Sequence, residues 1–186
     1  MSAISEWGST ATERAAPLPC DDLLPGAPCR YHRAVSVQAP AAVAYRRLCQ
    51  LTVAPYSYDL IDNRGRRSPR ELTPGADRLT EGQRIMVIFR LASHAPDDHL
   101  TLVSARTAVT YAVRPAATAA NGVRLVVRLL FAPPGGRLAA PVLGAGLGLG
   151  DLVMMRRQLL NLKALAERDA AVGPPRSPLT SIASDR

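Results

Sequence analysis

The stretch VAPYSYDLIDNRGRRSPREL, residues 53 to 72, concentrates side chains that can do chemistry. It contains Tyr56, Tyr58 and Asp59, and a tyrosine hydroxyl near a carboxylate can orient a ligand carbonyl or transfer a proton. The alternative interpretation is structural. The tyrosines would then fill the join between helices and a sheet, and Asp59 would cap a helix or pair with an arginine. The sequence leaves both interpretations open, and we favour the structural one.

The second half of this stretch is a cationic loop from Arg64 to Arg70 with four arginines. Arginine matches phosphate and carboxylate groups bidentately, so the loop can bind an anion. It can equally pair with the three acids of its own segment, which is the interpretation we favour. We expect no nucleic-acid site, because the loop has no aromatic residues between its arginines and the chain has no recognition-helix motif.

Further candidates are polar or flexible residues within apolar elements. Tyr111 shares a strand face with two valines, which predicts that it points inward. Arg90 lies in an apolar strand whose inner face the sequence does not define. Met155 and Gln158 lie in or beside the apolar stripe of a helix, where methionine suits adaptable packing. A few polar groups among apolar side chains are the usual composition of a ligand pocket.

Composition describes the kind of core that must position these residues. The chain has 186 residues, of which 47% are hydrophobic and only 4% aromatic, so one domain with an aliphatic core is expected. The formal net charge of +8 permits contact with nucleic acid or anionic lipid without establishing either. The three cysteines form no CxxC pair and the histidines no HExxH spacing. We therefore expect neither a metal nor a cofactor.

Several features of the sequence bear on membrane insertion and on the cellular compartment. The longest apolar run, LAAPVLGAGLGLGDLVMM, is interrupted by Pro141, by glycines and by Asp151. A membrane span needs about 20 predominantly apolar residues, so no transmembrane segment is expected. The first twenty residues lack the apolar core of a signal peptide, and an odd number of cysteines is typical of reduced thiols. These features predict a cytoplasmic protein.

Periodicity predicts the order of the elements. A strand at 31–39 is followed by a short amphipathic helix of about twelve residues that begins after Pro40. Asp151 stands before an apolar stripe at helical spacing and is the predicted N-cap of a long last helix. Four alternating or β-branched runs joined by short turns predict an antiparallel meander, at 83–93, 99–105, 107–115 and 123–131.

The two ends of the chain differ in composition from the middle. Residues 1–28 are rich in Ala, Ser, Thr and Pro, and residues 170–186 are rich in Pro and Ser. Such segments bury too little apolar surface to offset the entropy of ordering. We predict a disordered leader at 1–28, a folded domain at 30–168 and a disordered tail at 170–186.

Four stretches of the folded part carry a resemblance to a known family: VSVQAPAAVAYRRL, APYSYDLIDNRGRRSPREL, GQRIMVIFRL and GDLVMMRRQLLNLKALAER. They resemble the SRPBCC superfamily, which includes the START and polyketide cyclase/dehydrase-like proteins. The resemblance implies an α+β helix-grip fold. In that fold a curved antiparallel sheet wraps around a long C-terminal helix, with two short helices after the first strand. Residues 64–82 depart from the pattern, because their weak strand signal predicts a short or missing early strand.

The resemblance also implies a cavity between the sheet and the last helix. The first hypothesis is noncatalytic binding of a small apolar molecule, such as a polyketide or a lipid, by a monomer or homodimer. The alternative is a cyclase or dehydratase in which Tyr58, Asp59 or Tyr111 transfers a proton. A third hypothesis is a peripheral protein whose basic face meets anionic lipid. The residues expected to line the cavity are Tyr56, Tyr58, Arg90, Tyr111, Met155 and Gln158.

Overall fold

The computed structural model describes residues 5–58, 65–116 and 122–172, without the side chains of 136–139. Four α-helices lie in these ranges: α1 (Ala11–Ala15), α2 (Cys20–Leu23), α3 (Ala41–Cys49) and α4 (Gly136–Val172). A 3-10 turn at Gln50–Thr52 continues α3. The strands are β1 (Cys29–Val37), β2 (Arg84–Ile85), β3 (Phe89–Ala95), β4 (His99–Val103), β5 (Thr107–Pro115) and β6 (Val123–Phe131).

The strands form one antiparallel sheet in the order β1-β6-β5-β4-β3-β2. Strands β3 to β6 are joined in sequence as a meander, and β1 closes onto the last strand. The pairing of β1 with β6 runs from Cys29 opposite Phe131 to Val37 opposite Val123. The sheet therefore joins the first and last strands directly, and its short strand β2 lies at the far edge.

Helix α4 lies across one face of this sheet. Met155, Leu159, Leu162 and Ala166 are buried there, and their spacing of three and four residues places them on one side of the helix. They share a core with α3 and with the inward residues of the strands. The structure thus confirms the α+β helix-grip fold. None of the helices in the described ranges is long and apolar enough to cross a lipid bilayer.

The apolar run at 83–93 differs from the single strand that its composition predicts. The chain reverses at Met86 and Val87, whose φ angles are 47° and 67°. Such angles are rare for a β-branched residue, and the Val87 side chain is 72% exposed. Paired backbone bonds, from Gly82 N to Leu91 O at 2.8 Å and from Leu91 N to Gln83 O at 2.9 Å, hold the reversal. Residues 65–82 contain no strand, as their weak signal predicts.

Helix α4 also begins earlier than predicted. Asp151 is not its N-cap but lies inside the helix, which starts at Gly136 and contains Pro141. Contact with β1 explains one glycine of this first half, Gly144. A Cβ on Gly144 would lie 2.7 Å from the Cys29 sulfur, and the Gly144 carbonyl accepts a 2.5 Å hydrogen bond from the Tyr31 hydroxyl. Tertiary contacts therefore offset the low helix propensity of glycine.

The N-terminal segment, residues 5–28, packs on the sheet. His32 N donates to Ser5 O at 2.7 Å and Ala34 N to Trp7 O at 3.0 Å, so the segment covers the free edge of β1. Its helices then cross the outer face, where Leu18 and Cys20 are buried in a second apolar cluster. The structure thus differs from the disordered leader predicted at 1–28, because residues 5–28 pack on the sheet and Leu18 and Cys20 cover apolar side chains of β5 and β6.

A buried arginine anchors this segment. Arg128 of β6 is only 2% exposed, and its guanidinium forms an ion pair with Asp21. It also donates to the carbonyl oxygens of Arg14 at 2.7 Å and Ala16 at 2.8 Å. Nearby, Arg124 pairs with Glu13 at 2.7 Å. The polar contacts thus fix the position of both short helices. The tail predicted at 170–186 begins inside α4, which continues to Val172. Residues 173–186 lie outside the described residues.

Substituting Arg128 tests whether the segment contributes to stability. We expect Arg128→Met to lower the free energy of unfolding by about 3 kcal/mol, because it removes the buried partner of Asp21 and of two carbonyls. The measurement is urea denaturation. Arg106→Met, at an exposed arginine, is the matched control and should change stability by less than about 0.5 kcal/mol. Equal stability of the two variants would contradict an ordered N-terminal segment.

Candidate functional site

A chain of hydrogen bonds lies between the sheet and α4. The Tyr111 hydroxyl, from β5, donates to Gln158 Oε1 at 2.8 Å. Gln158 Nε2 in turn donates to the carbonyl oxygen of Pro55 at 2.6 Å. Both side chains are buried. Sheet, helix and the segment after α3 therefore meet at one polar point inside an apolar core.

Burial determines the chemistry of this hydroxyl. The pKa of Tyr111 is raised well above its ordinary value, chiefly by desolvation, with a further contribution from the charge of Asp151. Its hydrogen bond with Gln158 offsets these effects only in part. The hydroxyl therefore stays protonated and acts as a hydrogen-bond donor to an oxygen rather than as a base.

Apolar and flexible side chains surround the polar point. Met86 Sδ lies 3.7 Å from Gln158 Nε2, and Met155 is buried one turn earlier on α4. Both belong to or pack against the main core cluster, together with the ring of Tyr31. Methionine adapts its shape to a neighbour more readily than branched residues do. The surroundings of Gln158 can therefore rearrange around an apolar group.

A pocket of about 390 Å³ opens beside this point, between residues 56–57 and 68–70 on one side and the C-terminal half of α4 on the other. The buried ring of Tyr56 forms part of its wall, and the Tyr56 backbone has a positive φ of 56°. Asn161 Nδ2 donates to the Tyr56 carbonyl at 2.8 Å and so holds this backbone against α4. The other residues that line the pocket are Ser57, Ser68, Pro69, Arg70, Arg157, Ala164, Leu165 and Arg168.

The cationic loop contributes to the outer rim of the pocket. Arg70 is exposed, and its backbone carbonyl accepts from Arg168 at 2.7 Å. Arg168 also pairs with Glu71 at 3.1 Å and with Asp169 at 3.2 Å. Local acids thus neutralise Arg168, and Glu71, one of the acids predicted to pair with the loop arginines, pairs with this helix residue. Arg64 lies outside the described residues.

The remaining predicted residues lie elsewhere. Tyr58 is 39% exposed and faces the Arg157 guanidinium, 6.0 Å from its ring centre, on the outer side of α4. Arg90 is exposed and donates to Gly82 O at 3.0 Å, so it is not part of the polar point. Asp59 lies outside the described residues. The structure therefore brings together Tyr111, Gln158 and Met155, with Tyr56 in the wall of the adjoining pocket.

The patterns in the sequence do not predict that Arg33 and Asp151 form a buried pair. Arg33 Nη2 lies 2.8 Å from Asp151 Oδ2, with side chains 1% and 6% exposed. Burial raises the pKa of Asp151 to about 6, although Arg33 opposes the shift. The only sequence signal is a charged residue amid the apolar residues of a strand and another amid those of a helix. A charged residue on the exposed face of a strand or helix gives the same pattern, so the sequence cannot distinguish a buried pair from two exposed residues.

Comparisons with known proteins add the following. No family model matches the chain, and a search of curated proteins finds no match. Among solved structures, the chain is similar to the polyketide cyclase-like protein Cgl2372 from Corynebacterium glutamicum, at 14% identity, over 77% of this chain and 94% of that one, with a TM-score of 0.47. It is also similar to protein MLL2253 from Mesorhizobium loti, at 14% identity, over 74% and 97% of the two chains, with a TM-score of 0.44.

A third similar structure is the di-domain ARO/CYC StfQ from the steffimycin biosynthetic pathway. The identity is 16%, the TM-score 0.44, and the match covers 77% of this chain but only 52% of StfQ. Because these TM-scores all lie below 0.5, we base the function on this chain's own residues.

The raised pKa of Asp151 predicts a pH dependence of stability. Its ordinary pKa is 3.8 and its folded pKa about 6, so the folded state holds the proton more tightly than the unfolded state. The protonated carboxyl therefore stabilises the fold at low pH, and this contribution is lost as the pH rises through 6. Arg33 is the charged group that acts on this carboxyl, whereas the neighbouring Tyr31 and Tyr111, whose pKa values are raised, stay neutral across this range.

Asp151→Asn keeps the side chain neutral at every pH. We expect the stability of the wild type relative to this variant to fall between about pH 4 and pH 7, by up to about 3 kcal/mol. Urea denaturation across this range measures the difference. Glu81→Gln, at an exposed acid, serves as the control. A constant difference from pH 4 to pH 7 would contradict the raised pKa.

Proposed function

We propose that the protein binds a small, largely apolar molecule between the sheet and α4, without catalysing its conversion. The observation that carries this proposal is the buried hydrogen-bond chain from Tyr111 through Gln158 to Pro55. Ligand sites combine apolar walls with a few polar groups that fix orientation. Tyr111 and Gln158 supply such groups where adaptable methionines line the surroundings.

The Pro55 carbonyl occupies the position that a ligand oxygen would take. Gln158 Nε2 donates to this carbonyl, and a carbonyl or hydroxyl oxygen of a ligand can accept the same hydrogen bond in its place. The exchange keeps both amide atoms of Gln158 bonded, so it avoids the cost of an unsatisfied buried donor. The ligand class that follows is an apolar body with one hydrogen-bond acceptor.

The pocket beside Tyr56 is the proposed entrance. Its volume of about 390 Å³ lies within the usual range of small-molecule sites. The bonds from Gln158 to Pro55 and from Asn161 to Tyr56 hold the segment at 55–56 against α4. When this segment moves away from the helix, both bonds break together, and the path from the pocket to Gln158 opens.

The alternative of a cyclase or dehydratase is less well supported. Of its three predicted proton-transfer residues, Tyr58 is exposed on the outer side of α4, and Asp59 lies outside the described residues. Tyr111 holds its proton and is already bonded to Gln158. The Tyr111 hydroxyl is therefore better suited to orient a ligand oxygen than to remove a proton. For this reason we place binding before catalysis.

Blocking the entrance tests the proposal. The probe is Nile red, a neutral apolar dye with one carbonyl, titrated against the full chain by fluorescence. Ala164 is exposed in the pocket, and Ala164→Trp should abolish dye binding because the indole fills the space. Ala105→Trp, at an exposed site in the turn between β4 and β5, is the matched control and should bind as the wild type does. Equal binding by the two variants would overturn the proposed entrance.

Removing the polar groups tests their role separately. We expect Gln158→Leu and Tyr111→Phe to weaken Nile red binding by about 3- to 10-fold each, the effect of one neutral hydrogen bond. Arg66→Ala and Arg67→Ala should leave binding unchanged. If the arginine variants lose binding while the Gln158 variant retains it, the loop is an anion site and the proposal is wrong.

A further inference from the structure

The side of α4 that faces away from the sheet carries a stripe of exposed apolar residues. Val142, Leu149, Val153 and Leu160 are all exposed, with Val142 at 77%. Their spacings of seven, four and seven residues place them along one line of the helix. A monomeric protein rarely exposes an apolar stripe of this length without a partner.

Two arginines flank the stripe, and neither is neutralised. Arg156 lies 5.6 Å from the ring centre of Trp7, and Arg157 lies 6.0 Å from that of Tyr58. Within the described ranges, neither guanidinium forms an ion pair. The one acid between residues 142 and 160 is Asp151, which is buried against Arg33 on the other side of the helix. The exposed charge of this surface is therefore positive.

We propose that this surface docks on an anionic phospholipid membrane. We call it the outer α4 face and define it by Val142, Leu149, Val153, Leu160, Arg156 and Arg157. Arginines beside exposed aliphatic residues suit a helix that lies in the plane of an anionic interface. Trp7 and Tyr58 at the border add the amphipathic rings that prefer the headgroup region. The helix cannot cross the bilayer, so it rests on the surface.

A second copy of the chain fits this face less well. A symmetric contact places the same residues opposite their own copies. If the contact is centred between Val153 and Leu160, it brings Arg156 and Arg157 of each copy together with no described acid to pair with them. Four cations would then meet in an apolar contact, and burying unpaired charge is costly. An anionic lipid surface supplies the missing negative charge.

The docking surface is separate from the proposed ligand site. Tyr111 and Gln158 lie between the sheet and α4, while the outer α4 face points away from the sheet. Arg157 is the one residue that lines both the pocket and this face. Membrane association can therefore be measured in Ala164→Trp, which blocks the pocket. We expect that variant to bind vesicles normally even where it no longer binds Nile red.

The experiment uses the full chain and two kinds of vesicle, phosphatidylcholine alone and phosphatidylcholine with about 30% phosphatidylserine. Co-sedimentation measures the partition coefficient, and the single tryptophan, Trp7, reports contact through its fluorescence. We expect association with the anionic vesicles only, a blue shift of the emission, and loss of binding in high salt. Arg156→Gln combined with Arg157→Gln should lower the partition coefficient roughly 30-fold, since each arginine near an anionic surface contributes about a factor of five.

Arg84→Gln combined with Arg106→Gln is the control, because it removes the same charge from two exposed positions, one on β2 and one in the turn between β4 and β5. It should retain wild-type partitioning. Leu149→Ser combined with Val153→Ser tests the apolar stripe independently of charge and should reduce both partitioning and the blue shift. Circular dichroism checks that each variant is folded.

Three outcomes would overturn the proposal. The first is that the wild type does not bind anionic vesicles, and the second is that the control pair loses as much binding as the Arg156 and Arg157 pair. The third is that sedimentation finds a dimer that Leu149→Ser with Val153→Ser dissociates, while the wild type leaves vesicles unbound. In that case the outer α4 face is an interface between copies of the chain.

Discussion

The buried contact between Arg33 and Asp151 is the polar constraint that fixes the sheet against the last helix in the helix-grip arrangement. It joins β1 to the glycine-rich half of α4, where backbone propensity alone does not favour a helix. A second buried arginine, Arg47 of α3, bonds to Asp169 at 2.6 Å near the other end of α4. On the opposite face of the sheet, the buried Arg128 likewise holds the N-terminal segment in place, through Asp21 and two backbone carbonyls. An aliphatic core with few aromatic residues is thus held in register by three buried guanidinium groups.

The alternation of the strands and the stripe of α4 were predictable because a sheet with one helix across it produces regular periods of two and of 3.6. The inward position of Tyr111 and the place of Gln158 follow from the same periods. The burial of Arg128 was not predictable from its strand. Arg128 shares a face with Arg124, a pattern typical of a solvated surface, and only the N-terminal segment converts that surface into an interface. A contact made by residues more than 100 positions away has no local signature.

The candidate site also combines features that the sequence predicts with features that it does not. Its side chains lie in regular elements and could be proposed one by one, whereas the bonds from α4 to the backbone of Pro55 and Tyr56 join an irregular segment that has no period. The positive φ of Tyr56, and those of Met86 and Val87, arise from tertiary contacts that outweigh local preference. The sequence therefore indicated the residues of the site, Tyr56 included, but not the backbone bonds that hold Pro55 and Tyr56 against α4.

The docking of the N-terminal segment has a consequence for the order of events during synthesis. Ser5 and Trp7 bond to β1, which follows soon after them in the chain, but Asp21 and the carbonyl of Arg14 must wait for Arg128. Because β1 also pairs only with β6 in the described sheet, its second edge stays open until Phe131 has left the ribosome. For most of translation Asp21 and the Arg14 carbonyl therefore lack their partner on β6, and this part of the chain is accessible to chaperones until the last strand has been made.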